Sequence, residues 1–180
     1  MTLQGFLKAD SFSSCRPGAI ESFYMANHME KVHGWRGILV EAHRELHAKL
    51  AQGRPLNHCV NACLGSGQAS WFEEKTTGLL GHSQLRDGKL NDECRPVQTR
   101  PISDLLKAFN APPIIDFMVI DVERAFLEVW RGLPLDSWQV DFLAIEIKGA
   151  APREILDGMA AHGLQLVKIL NGEDYLFARP

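Results

Sequence analysis

Long apolar runs are missing from this sequence. No stretch approaches the roughly 20 residues needed to cross a bilayer, so no membrane-spanning helix is expected. Strong charge of either sign is missing too. A net charge of −3 leaves no electrostatic footprint for nucleic acid or an anionic membrane as partner. Met1 to Cys15 has no basic segment followed by an apolar one, so it does not read as a secretory signal. A soluble, cytoplasmic chain is the default expectation, or an organellar one if a targeting segment has been removed. Cysteine is scarce: Cys15, Cys59, Cys63 and Cys94 form no C-x-x-C pair, so no zinc site is expected. Nor does a chain of 180 residues need disulfide staples to hold a core. Cys59 and Cys63 read as buried free thiols facing the same side of a strand. The G-x-G-x-x-G fingerprint, the P-loop and the serine nucleophile elbow are all absent.

What is present is the composition of one globular domain spanning 1–180, with 46% apolar and 23% charged residues. Strand signals fall at Gly37–Glu41, Asn57–Cys63, Ile115–Asp121, Val140–Glu146, Leu164–Leu170 and Tyr175–Ala178. Phe117 to Ile120 and Phe142 to Ile145 are continuous apolar runs, as in strands buried on both faces of a parallel sheet. Helix signals alternate with them: Ala42–Gln52, Ser103–Phe109, Ala125–Arg131 and Pro152–His162, the last opening on proline and stopped by Gly163. The pattern predicts an α/β fold with a doubly wound, mostly parallel sheet. Gly172-Glu173-Asp174 predicts a turn that makes the last two strands a C-terminal antiparallel hairpin. Residues 1–20 read as an N-terminal arm or a degraded first strand. Gly67 to Glu74 has the pattern of an extra strand, and 75–101 reads as a long polar loop of the kind used as a lid or binding loop.

In such sheets ligands sit beyond the carboxyl ends of the strands. Glu41, Asp121, Glu123 and Glu146 stand at those ends, and Asn61 stands near another. Glu41 is placed either to bind a ribose diol or to stabilise the N-terminus of the following helix. Asp121 and Glu123 are placed to hold a proton or a substrate hydroxyl, or to cap the next helix. His43 and His47, four apart, have metal-ligand spacing, but Arg44, Glu45 and Lys49 around them read as a solvated face; no metal site is expected.

In order, these segments resemble the FkbM-type methyltransferases. Glu30-Lys31-x-x-Gly34-Trp35-Arg36-Gly37-Ile38-Leu39-Val40-Glu41 resembles the family's second-strand region. Asn61-Ala62-Cys63-Leu64 with Gly67 and Trp71-Phe72 resembles the next strand and hairpin. Ile115 to Glu123 resembles the strand ending in D-x-E-G, Phe142 to Glu146 the strand ending in I-E, and Gly163 to Phe177 the closing hairpin. The resemblance implies a class I, Rossmann-like fold. It also implies methyl transfer from S-adenosylmethionine to a hydroxyl on a small molecule or glycan. Glu41, Asn61 and Gly18 would hold the cofactor; Asp121, Glu123 and Glu146 would line the catalytic side. Two family motifs are altered. The glycine-rich turn after the first strand reads Ser14-Cys15-Arg16-Pro17-Gly18-Ala19-Ile20, and D-x-E-G-x-E reads Asp121-Val122-Glu123-Arg124-Ala125-Phe126. The alternative reading is therefore an inactive methyltransferase-like subunit of a protein complex, with Trp35, Trp71 or Trp138 as exposed anchors.

Overall fold

The computed structural model describes residues 5–10, 29–75, 84–89, 91–149 and 151–180; the side chains of 5–10 and of Arg124 lie outside that description, as do Gly18, Cys15 and the whole altered turn. The architecture is mixed α/β with two sheets. Ten strands are described: β1 (Gly5–Asp10), β2 (Arg36–Glu41), β3 (His58–Asn61), β4 (Ala69–Glu73), β5 (Gln84–Arg86), β6 (Cys94–Gln98), β7 (Ile114–Asp121), β8 (Gln139–Glu146), β9 (Gln165–Leu170) and β10 (Asp174–Ala178). The helices are α1 (Arg44–Gly53), α2 (Ile102–Ala108), α3 (Phe126–Arg131) and α4 (Arg153–Ala161).

The larger sheet runs β3-β2-β1-β7-β8-β10-β9. β3, β2, β1, β7 and β8 pair in parallel, and β10 is antiparallel to both β8 and β9. Gly5–Asp10 is thus a central strand, not an arm. Asn171 and Gly172, both left-handed at φ 52° and 80°, make the β9–β10 turn, the backbone a tight hairpin favours.

Alternate residues of the central strands enter different clusters. Ile38, Val40, Met118, Ile120, Leu143 and Ile145 pack with Leu105 and Leu106 of α2, Val129 of α3 and Ile155 and Met159 of α4. Leu39, Phe117 and Val119 pack on the other side with Trp35, Leu50 of α1 and Cys59. The continuous apolar runs are explained by that two-sided burial. Farther along the sheet, Phe142 is half-exposed and Leu166, Val167, Ile169 and Leu170 of β9 are exposed.

The smaller sheet runs β5-β4-β6, antiparallel throughout. Two of its strands stand where the polar composition of 75–101 predicts a loop. The inward residues of β6 are the reason: Val97 packs beside Phe72, and Arg95 lies with its guanidinium 5.1 Å over the Phe72 ring and its Nε 2.7 Å from Glu74. An arginine in the inward position hides the alternation that marks a strand. Cys59 and Cys63 do not share a face. β3 stops at Asn61, so Cys63 turns into the cluster of Ala42 and Phe72, where burial pushes its thiol up to about 12. Both are free thiols, as is Cys94. No described helix is long and apolar enough to cross a membrane.

Candidate active site

From β1 the chain steps outward to β2 and β3, returns, and then builds β7 and β8 on the opposite side. The strand order therefore reverses between β1 and β7, which is where open α/β sheets bind ligands, at the carboxyl ends. Three strand-end positions fall there in backbone register: Asp10 ends β1 opposite Glu41 of β2 on one side and Asp121 of β7 on the other.

Glu41 is 1% exposed, and its Oε1 accepts a hydrogen bond of 2.6 Å from the backbone N–H of His43. The carboxylate thus lies against the start of α1, the position a helix dipole favours. His43 is buried, not solvated. Its Nδ1 accepts from Leu46 N–H at 3.4 Å as the N-cap, which leaves Nε2 to donate to the Lys75 carbonyl at 2.7 Å. Asn61 is exposed, and its amide donates to the carbonyls of Glu41 at 2.8 Å and Ala42 at 3.1 Å, tying the ends of β3 and β2 together. Among the described residues no group of His, Cys, Asp and Glu is arranged to hold a metal.

Beyond β7 the chain enters a single 3-10 turn, Glu123–Ala125. Glu123 has φ 53°, a left-handed backbone that costs a residue with a side chain about 1–3 kcal/mol and concentrates at functional sites. It is 8% exposed. Its Oε2 lies 3.5 Å from the Lys148 ammonium, and Glu146 Oε1 lies 3.1 Å from the same nitrogen. Glu123 Oε1 and Glu146 Oε2 are buried with no hydrogen-bond partner among the described residues. Glu173 of the hairpin turn reaches Lys148 at 3.8 Å. Burial pulls the Lys148 ammonium toward losing its proton, but the carboxylates of Glu146, Glu123 and Glu173 outweigh it and hold its pKa above the ordinary lysine value. Next to it, burial raises the Asp174 carboxyl, and the Glu173 charge adds to the rise.

Of the acids expected from sequence, the structure joins Glu123 and Glu146 through Lys148 and sets Asp121 beside Asp10. It keeps Glu41 on the far side of β1. Asp10 and Lys148 escape the sequence reading. Asp10 is found only once Gly5–Asp10 is placed at the centre of the sheet. Lys148 is signalled by standing two residues beyond a strand-terminal acid, where a continuing extended chain returns to the same side.

The small sheet stands over this edge. A cleft of about 960 Å³ opens between it and the start of α3, lined by Trp71, Arg86, Gln98, Thr99, Ala125 and Glu128. Ser66 donates to Glu128 at 2.9 Å across it. Beneath the sheet, an apolar pocket of about 20 Å³ lies among Val40, Cys63, Phe72, Leu85 and Val122, room for about one water and not for a nucleobase. Trp35, Trp71 and Trp138 are each half-buried, and Trp35 and Trp138 pack against core clusters.

Residues 11–166 match the methyltransferase FkbM domain. The chain belongs to that family. The FkbM match supports a methyltransferase-like function and suggests a class I fold for this mixed α/β chain. No curated protein and no solved structure matches it.

Proposed function

We propose that this FkbM-family chain is a class I, Rossmann-like methyltransferase that moves a methyl group from S-adenosylmethionine to a hydroxyl. The observation that carries the reading is the register of Asp10, Glu41 and Asp121 at the point where strand order reverses. The donor set fits a cationic ligand. Glu41, Asp121, Glu123 and Glu146 are acids of one edge, and among the described side chains Lys148 is a cation beside two of them. Glu41 and Asn61 would hold the nucleoside side, together with Gly18, which lies outside the described residues.

S-adenosylmethionine, when bound, supplies a methyl group on a sulfonium and leaves as the neutral thioether. The chain's residues do the rest. The cleft beside Trp71 and Glu128 admits the acceptor and aligns it, and alignment of two reactants carries much of the rate in such transfers. As the new O–CH3 bond forms, the O–H bond breaks, and Glu123 Oε1 or Glu146 Oε2 takes the proton.

Calorimetry with S-adenosylmethionine and S-adenosylhomocysteine tests this. Micromolar binding, weakened at least tenfold in Asp121→Asn and in Glu41→Ala, is expected. No heat up to millimolar ligand would sink the reading and favour an inactive subunit of a complex.

A further inference from the structure

We propose that Lys148 is a positioning residue for the acceptor: its ammonium ties Glu123 and Glu146 into one unit in which each keeps a buried oxygen for an uncharged hydroxyl. This rests on the methyl-transfer reading.

Two carboxylates from different elements, the turn after β7 and the end of β8, lie within 3.5 Å of one nitrogen. Without a cation between them, like charges at such a distance favour sharing a proton, and a carboxyl that holds a proton accepts none. With Lys148 in place, each acid spends one oxygen on it and leaves the other, Glu123 Oε1 or Glu146 Oε2, buried and without a partner among the described residues. A hydroxyl donor completes either oxygen. Glu123 carries a left-handed backbone, and its side chain reaches Lys148 just beyond β8.

The surrounding charges narrow the acceptor class. Lys148 faces Glu146 from its own strand end, Glu123 from the β7 turn, and Glu173 from the hairpin, with Asp174 beside it. Among the described side chains the cluster holds more negative charge than positive, so a phosphorylated or carboxylated acceptor is repelled. An ammonium acceptor would compete with Lys148 for the same oxygens. A neutral hydroxyl meets neither obstacle.

The test is an NMR titration of the Lys148 ammonium in protein labelled at the lysine side-chain ε carbons, with its signal assigned through Lys148→Arg. In Glu123→Gln and in Glu146→Gln the ammonium is expected to lose its proton at lower pH than in the unaltered chain. A lysine that does not tie the two acids together would respond to neither substitution, and no change in either variant overturns the proposal. Should one variant not fold, the other decides. Calorimetry on the same samples separates the two ideas. Unaltered protein that binds S-adenosylmethionine, with no Lys148 shift in the variants, loses only the role of Lys148. Unaltered protein that binds none loses methyl transfer, and the acceptor role with it.

Discussion

The two sheets are held together in different ways. The central strands of the larger one bury Met118, Ile120, Leu143 and Ile145 to 1% exposure or less, among helices that contribute more aliphatic side chains. The smaller sheet is knit by charge. Glu73 is 3% exposed, its Oε1 accepts from Lys75 at 2.7 Å and its Oε2 from Arg86 Nε at 2.9 Å; Glu74 takes Arg95 at 2.7 Å. Burial of apolar surface is indifferent to pH and tolerant of direction. A buried carboxylate with two cations is neither. The stable frame of this molecule is therefore apolar, while the platform over the carboxyl ends of its strands depends on a few ionised groups.

The largest effect should come from the frame. Leu143→Ala leaves a void at a fully buried position and should cost about 3–4 kcal/mol in chemical denaturation, with the same loss at neutral and mildly acidic pH. A loss that grew with acidity would blur the contrast. Next is Gly158→Ala on α4. The added carbon would collide with the Trp130 ring, so the ring or the packing of α3 on α4 must shift, at up to about 3 kcal/mol in thermal unfolding.

Glu73→Gln should cost about 2 kcal/mol, and amide hydrogen exchange should show the loss confined to β4, β5 and β6. Hydrogen bonds from Lys75 and then Arg86 hold the Glu73 carboxyl down at about 2, below the ordinary value of 4.5. The sign follows: this stabilisation is complete above about pH 4.5 and is lost as pH falls toward 2. The small sheet should thus open in acid before the larger one, in hydrogen exchange followed down the pH scale. Equal protection of both sheets at pH 3 would remove the distinction. The smallest effect belongs to Phe142→Ser on the half-exposed side of β8, within about 0.5 kcal/mol by chemical denaturation.

Legibility in the sequence differed from strand to strand. β7 and β8 were readable because apolar runs such as Phe117 to Ile120 have few other uses in a chain this polar. β6 was not, because Arg95 does the inward packing that an aliphatic residue does elsewhere. Of the carboxyl edge, Glu41, Asp121, Glu123 and Glu146 were readable as strand-end acids. That Glu41 turns onto the start of α1, and that Glu123 and Glu146 converge on Lys148, was not. Strand-end position states which side of a sheet an acid is on, but not what it touches.

By itself the sequence determined the alternation of strands and helices, the tight turn before Tyr175, the acids at the strand ends and the resemblance that the family match bears out. These are properties of neighbouring residues, set by periodicity and backbone preference. The tertiary structure alone decided that β1 lies between β2 and β7, so that the end of β1 falls in register with Glu41 and Asp121. It alone brought Lys148 between two carboxylates from separate elements. The physical reason is that lateral strand order and cross-element ion pairs are non-local, fixed by the packing of the whole core and not by any one stretch of chain.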